Sequence, residues 1–211
     1  MESARESSPR LSPFRVITIS REFGAGGESL GERLAERLEW QLLDRRLVEQ
    51  VAAAAHVDPE LVTRFDERCD SWLHSLAKHM FSYGAIEGVN EPPDVFDAES
   101  LASRSRRVIE QAASLGDCVI VGRGAQCALS GRADVLHVFV FAPAEERLRR
   151  ARERGHHGDL PALMAVDRDR SDFLRTVYGR DWRDPRLYHL MLNSTLGLDT
   201  LVDVVAQALR R

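Results

Sequence analysis

VITISREFGAGGESLGERLAERL, residues 16–38, is the stretch on which the fold turns. Its first four residues, Val16 to Ile19, are all β-branched and read as a short buried strand. Gly24, Gly26 and Gly27 follow, and then Leu30, Leu34 and Leu38 recur every four residues with Glu32, Arg33, Glu36 and Arg37 between them. That spacing is one apolar stripe on a surface helix. A strand that enters a helix through a glycine-rich turn makes an anion cradle. Backbone N–H groups with no intrahelical partner converge there, the helix dipole adds positive potential, and glycine lets an anion approach closely.

The phosphate-loop pattern is GxxxxGK[ST], and this loop departs from it. Ser29 can take the hydroxyl place if one extra residue is allowed. Arg21 then stands at the first glycine and Gly27 where the lysine belongs. Arg21 is the nearby cation, and an Arg fork can hold two phosphate oxygens. A tight strand-to-helix turn with no ligand is the competing reading of the loop, and an exposed strand-end residue that of Arg21.

Working outward, Gln41 to Leu43 reads as a second short strand ending at Asp44, and Leu47 to Ala55 as a helix. Residues 56–100 are poorly patterned, with a loop expected from Gly84 to Asp97, where Gly88, Asn90, Pro92 and Pro93 fall. Residues 100–115 read as a helix, Cys118–Val121 as a strand ending in Gly122-Arg123-Gly124, and Val135–Phe141 as a strand closed by Pro143. Glu145–Arg154 reads as a charged helix, Leu160–Tyr178 as a helix rich in Asp and Arg, Tyr188–Leu192 as the last strand and Leu198–Arg210 as the last helix. Five strands, mostly apolar on both faces and alternating with helices, predict an α/β fold with a parallel sheet. The strand order is not visible in the pattern.

The 211 residues suit one domain, or one domain with a mobile subdomain, and can bury a core without disulfide or metal staples. Lys plus Arg is 29 and Asp plus Glu 33, a net charge of -4, which argues against a nucleic-acid binder. Cys69, Cys118 and Cys127 form neither a disulfide framework nor a zinc spacing, and Cys118 reads as a core residue. A reducing, cytoplasmic setting fits. No apolar run approaches the roughly 18 residues of a membrane span, so no membrane partner is expected. Residues 1–13 are polar and proline-punctuated and read as a disordered lead-in.

Several pieces, in order, resemble the cytidylate kinase-like proteins, a nucleoside monophosphate kinase branch of the P-loop kinases. They are VITISREFGAGGESLGERLAERL, LLDRRLVEQVA, CVIVGRGA, VFVFAPAEERLRRARER, DRDRSDFLR and YHLMLNSTLGLDTLVDVV, over roughly residues 15–207. The resemblance implies a P-loop kinase fold with a five-stranded parallel sheet of order 2-3-1-4-5 and helices on both faces. It implies one domain from residue 14, an acceptor-binding subdomain over about 45–115 and a lid over about 155–186. It further implies transfer of the γ-phosphoryl of ATP to CMP, dCMP or a similar small phosphorylated acceptor, with Mg²⁺. Authentic cytidylate kinases carry the loop lysine that Gly27 replaces. A nucleotide-binding regulator without turnover, and a kinase of another metabolite, are the alternatives.

Phosphoryl transfer needs positioning and charge neutralisation. Gly24, Ala25, Gly26, Gly27, Glu28 and Ser29 are the expected backbone cradle, with Ser29 a Mg²⁺ ligand through the phosphates. Glu28 suits a triphosphate only if its side chain turns away. Candidate catalytic residues are Arg21, Arg123 and Arg170. Arg123, at the carboxyl end of a strand, suits the acceptor phosphate, or else a structural salt bridge. Asp44 falls in the segment that the resemblance assigns to the monophosphate, and equally suits a helix N-cap. The lid would bring Arg168, Arg170 and Arg175, although Asp167, Asp169 and Asp172 could pair with them on a solvated face. Arg149, Arg150, Arg152 and Arg154 read as a solvated face, His156 and His157 as loop residues, and Trp72, Phe81, Tyr178, Trp182 and Tyr188 as packing residues.

Overall fold

The computed structural model describes residues 13–44 and 98–210. The expected helix at Leu47–Ala55, the loop from Gly84 to Asp97, Trp72, Phe81, Cys69 and the lead-in through residue 12 lie outside the described residues.

Strand β1 (Val16–Arg21) leads into helix α1 (Gly27–Leu38), followed by β2 (Gln41–Leu43). Next come α2 (Ala98–Leu115), β3 (Cys118–Val121), a short α3 (Ala125–Ala128) and β4 (Val135–Phe141). Then follow α4 (Ala144–Glu153), α5 (Leu160–Tyr178), β5 (Leu190–Asn193) and α6 (Leu198–Ala208). The five strands form one parallel sheet of order β2-β3-β1-β4-β5. That is the 2-3-1-4-5 order and the P-loop kinase fold.

Strand alternation explains the layers. Ile17 and Ile19 point with Val119, Val121, Leu136, Val138 and Val140 toward α1 and α6, where Leu30, Leu34, Leu201 and Val205 meet them. Val16, Cys118, Ile120 and Val135 point to the other face, against Val108, Ile109 and Ala112 of α2. Each fully buried Ile or Leu contributes about 1.5–3 kcal/mol, so two-sided burial makes β1 the centre of the fold. Farther along that second face the residues turn polar. Thr18 lies opposite His137 in register, with Thr18 Oγ1 2.7 Å from His137 Nδ1.

The last strand starts two residues later than the Tyr188 start expected from its apolar pattern. Pro185–Leu187 forms a 3₁₀ turn, and the Tyr188 hydroxyl donates to the Trp182 carbonyl at 2.7 Å. Trp182 and Tyr188 pack on Phe139, with ring centroids 5.3 and 5.0 Å away. No helix among the described residues is long and apolar enough to cross a membrane.

Candidate active site

The glycine loop leaves β1 at the carboxyl edge of the sheet and enters α1 without a side-chain cap. Gly24 and Gly26 have φ of +76° and +87°, a left-handed backbone that glycine adopts without strain. A Cβ at Gly24 would lie 2.6 Å from the Arg147 carbonyl oxygen, so the loop is packed directly onto α4. The first turn of α1 thus has no N-cap side chain in place, and its remaining polar neighbour is the Glu28 carboxylate of the same turn.

Arg21 lies at the end of β1 with its side chain only 10% exposed. Its Nε and Nη2 both donate to Glu28 Oε1, at 2.8 and 2.6 Å. Burial alone would raise the Glu28 carboxyl, but the charge and hydrogen bonds of Arg21 outweigh it and hold it below its ordinary value. Glu28 therefore turns onto Arg21 and is ionised.

Arg147 and Arg150 of α4, and the exposed Arg154 that follows it, also reach the loop; the solvated face expected there holds for Arg149, Arg152 and Arg154 and is corrected for Arg150. Arg149 and Arg152 are exposed. Arg150 is half-buried: its Nη1 donates to Ser194 Oγ at 2.7 Å and to the Ala25 carbonyl at 3.4 Å. Arg154 Nη2 donates to Ser29 Oγ at 2.8 Å. Arg147 is buried and ion-paired to Asp167 and Glu22. Arg147, Arg150 and Arg154 are spaced three and four residues apart, which places them on one stripe. That spacing is the signal in the sequence that separates them from Arg149 and Arg152.

Helix α5 connects the loop to the rest of the site. Asp167 accepts from the Phe23 N–H at 2.8 Å, while Arg147 Nε donates to the Phe23 carbonyl at 2.8 Å. Both backbone groups of Phe23 are thus held by side chains. Arg170 donates to the Arg21 carbonyl at 2.9 Å and lies over the Phe23 ring. Of the three lid arginines, Arg170 is brought to the loop. Arg168 is exposed, and Arg175 is an exposed partner of Asp172 at 3.7 Å. Asp167 is buried, not part of a solvated face.

Gly122, Arg123 and Gly124 form the turn after β3, all with positive φ (83°, 55° and 70°). An arginine in that region is strained by about 1 kcal/mol or more. The Arg21 guanidinium rests against Gly122, and the Tyr178 ring of α5 against Gly124. Half-buried Arg123 therefore lies beside the glycine loop, on the same carboxyl edge. Asp44 follows β2 on this edge too. The helix it would cap lies outside the described residues.

The loop, the arginine turn and α5 occupy the edge where open parallel sheets bind their ligands, and the geometry suits a polyphosphate. Among the described residues no three His, Cys, Asp or Glu side chains converge on a point that could hold a metal ion. Ser29 Oγ, in the first turn of α1, fits the place of a hydroxyl reaching Mg²⁺ between phosphates.

Sheet order, loop and site define a P-loop kinase fold. The chain belongs to the Cytidylate kinase-like family, whose profile matches residues 16–196. No curated protein matches the sequence. A crystal structure of an uncharacterized protein from Eubacterium ventriosum superposes with a TM-score of 0.64 at 20% identity, covering 92% of this chain and 97% of that one. Shikimate kinase from Bacteroides thetaiotaomicron superposes with a TM-score of 0.50 at 15% identity, covering 93% of this chain and 98% of that one. Family and fold together support a nucleotide-using phosphotransferase.

Proposed function

We propose that the protein is an ATP-dependent phosphotransferase that moves the γ-phosphoryl of ATP to CMP, dCMP or a similar small phosphorylated acceptor. One observation carries the reading: guanidinium groups from β1, the residue after α4, and α5 (Arg21, Arg154 and Arg170) converge on an uncapped glycine loop at the carboxyl edge of a parallel sheet. The backbone from Gly24 to Ser29 receives the triphosphate. Arg21 supplies the charge that a loop lysine otherwise supplies. Arg154 and Arg170 add donors from outside the loop, and Arg123 takes the acceptor phosphate. Asp44, on the β2 side, contacts the acceptor. Ser29 would hold Mg²⁺ together with the phosphates, and the ion would supply charge neutralisation at the transferring group. Residues 155–186 act as the lid, with α5 excluding water from the phosphates.

A nucleotide sensor without turnover is the second reading. Gly27 at the place of the loop lysine favours it, since a cradle without that cation can hold a nucleotide and still lack charge stabilisation of the transferring group. Coupled ADP release with Mg-ATP and a panel of CMP, dCMP, UMP, AMP and GMP separates the two. Release that depends on CMP or dCMP supports the first. Tight Mg-ATP binding with no release across the panel favours the second.

A further inference from the structure

We infer that Arg21 and Gly27 are one exchanged pair: the loop's cation has moved from its end to its start, its glycine has moved the other way, and Glu28 occupies the place of a phosphate oxygen. This rests on the reading of the loop as a triphosphate site.

Space carries the first half. A Cβ at position 27 would lie 2.6 Å from Arg21 Cβ, 2.7 Å from its Cγ and 3.3 Å from its Cδ. The backbone fixes both Cβ atoms, so no rotamer of Arg21 clears the first contact. Gly27 is not among the residues with positive φ. It is the first residue of α1, where any residue fits the dihedrals. Glycine inside a helix is otherwise unfavourable relative to alanine. Its presence is explained by the Arg21 stem lying across it. In the usual pattern glycine stands near the start of the loop and lysine at its end. Here the two places share one volume, and only one can carry a side chain.

Charge carries the second half. The Arg21 stem crosses Gly27 and its guanidinium ends against Gly122, beside the arginine turn. Glu28 Oε1 sits between Nε and Nη2, within hydrogen-bond distance of both. That is how a guanidinium fork receives a phosphate oxygen. The Glu28 side chain remains 44% exposed, so it can swing out while Arg21 stays in place. Glu28 thus competes with the triphosphate for the Arg21 fork and yields to it.

The test is a cycle of variants read by Mg-ATP titration calorimetry and, separately, by thermal melting without ligand. Arg21→Gly weakens Mg-ATP binding at least about tenfold. Arg21→Gly/Gly27→Lys restores it to within about threefold of the native protein. A double variant no better than Arg21→Gly overturns the exchange. Gly27→Ala lowers the melting temperature in the native background and raises it in the Arg21→Gly background. The same sign in both overturns the shared-volume argument, whatever the binding result. Glu28→Gln tightens Mg-ATP several-fold, and equal or weaker binding overturns the role of Glu28. If the native protein fails to bind Mg-ATP, the functional reading falls and the charge exchange with it. The melting cycle still reports on the packing of positions 21 and 27.

Discussion

Asp167→Ala tests whether α5 is fastened to the glycine loop. In the native protein Asp167 Oδ2 meets Arg147 Nη2 at 2.5 Å, with the two side chains 5% and 4% exposed. Asp167 Oδ1 accepts from the Phe23 N–H at 2.8 Å. Truncation leaves the Arg147 guanidinium buried with Glu22 at 3.1 Å and the Phe23 carbonyl at 2.8 Å, and removes the acceptor of the Phe23 N–H. Breaking one side of a buried pair costs about 3–5 kcal/mol. Glu22 still compensates part of the charge, so the lower end applies, about 3 kcal/mol. For a domain of this size that is a fall in melting temperature of roughly 6–12 °C. Arg147→Met/Asp167→Leu removes both charges and, with Glu22 still paired to Arg183 at 3.1 Å, should recover part of that loss, since an apolar pair of similar volume is often neutral. The double variant should still bind Mg-ATP more weakly, because Phe23 has lost both side-chain partners. Calorimetric melting at pH 7.5 decides the stability part. A loss below about 1 kcal/mol for Asp167→Ala, or a double variant as unstable as the single, refutes the fastening.

Two further predictions address pH and the acceptor. Burial, reinforced by the neighbouring charge of His189, pushes His137 down to about 4 from an ordinary value of 6.5. The unfolded chain takes up this proton below 6.5 and the folded chain only near 4, so stability falls as pH drops through that window, by up to about 3 kcal/mol. Melting temperatures from pH 7 to 4 should lose that segment of their slope in His137→Gln. Glu28, Asp134 and Asp184, all held below their ordinary values by arginines, add their losses at lower pH. An unchanged slope in the variant would assign the window to other groups. Arg123→Ala should weaken the acceptor by at least about tenfold while leaving Mg-ATP within about twofold, measured by separate titrations. Equal losses for both ligands would remove Arg123 from the acceptor side.

The central part of this fold is legible because β1 is unusual in sequence. Val16 to Ile19 is entirely β-branched and is followed within five residues by a run of glycines, a pattern with few structural solutions. The register and layers were not legible in the same way: apolar strands look alike, and the 2-3-1-4-5 order came through the family resemblance. Tyr188 was drawn into the last strand by its apolar neighbours. The capping carboxylate of Asp184, which accepts from Arg186 N–H at 3.0 Å, instead builds a turn there. In the site, the glycines, Arg21 and Arg123 stand next to strand ends and advertise themselves. Arg147 and Arg150 are hidden inside a helix where other arginines are solvated, and Arg154 is an exposed residue at its end. Their role comes from contacts made across more than a hundred residues of sequence, with Phe23, Ala25 and Ser29. Asp167 was masked by its exposed neighbours Asp169 and Asp172, although a lone buried carboxylate on an amphipathic helix needs a buried cation.

On the proposed function the site has to reconcile a chain of net charge -4 with a ligand rich in negative charge. Around the loop, Arg21, Arg147, Arg150, Arg154 and Arg170 face Glu22, Glu28, Glu146 and Asp167. Each of these carboxylates already holds a guanidinium, and Glu22 also meets Arg183 at 3.1 Å, so on the proposed function binding is an exchange of carboxylate for phosphate rather than capture by an open field. Such an exchange yields a small difference between large terms and favours discrimination over raw affinity. Which pairs can exchange follows from burial. Asp167 is 5% exposed and holds a backbone N–H as well as Arg147, so releasing it would strand two groups. Glu28 is 44% exposed and can return its charge to water, and Arg154 meets only a hydroxyl. The buried pair therefore belongs to the scaffold that keeps the loop in shape, and on the proposed function the half-exposed pair is the one a triphosphate would open.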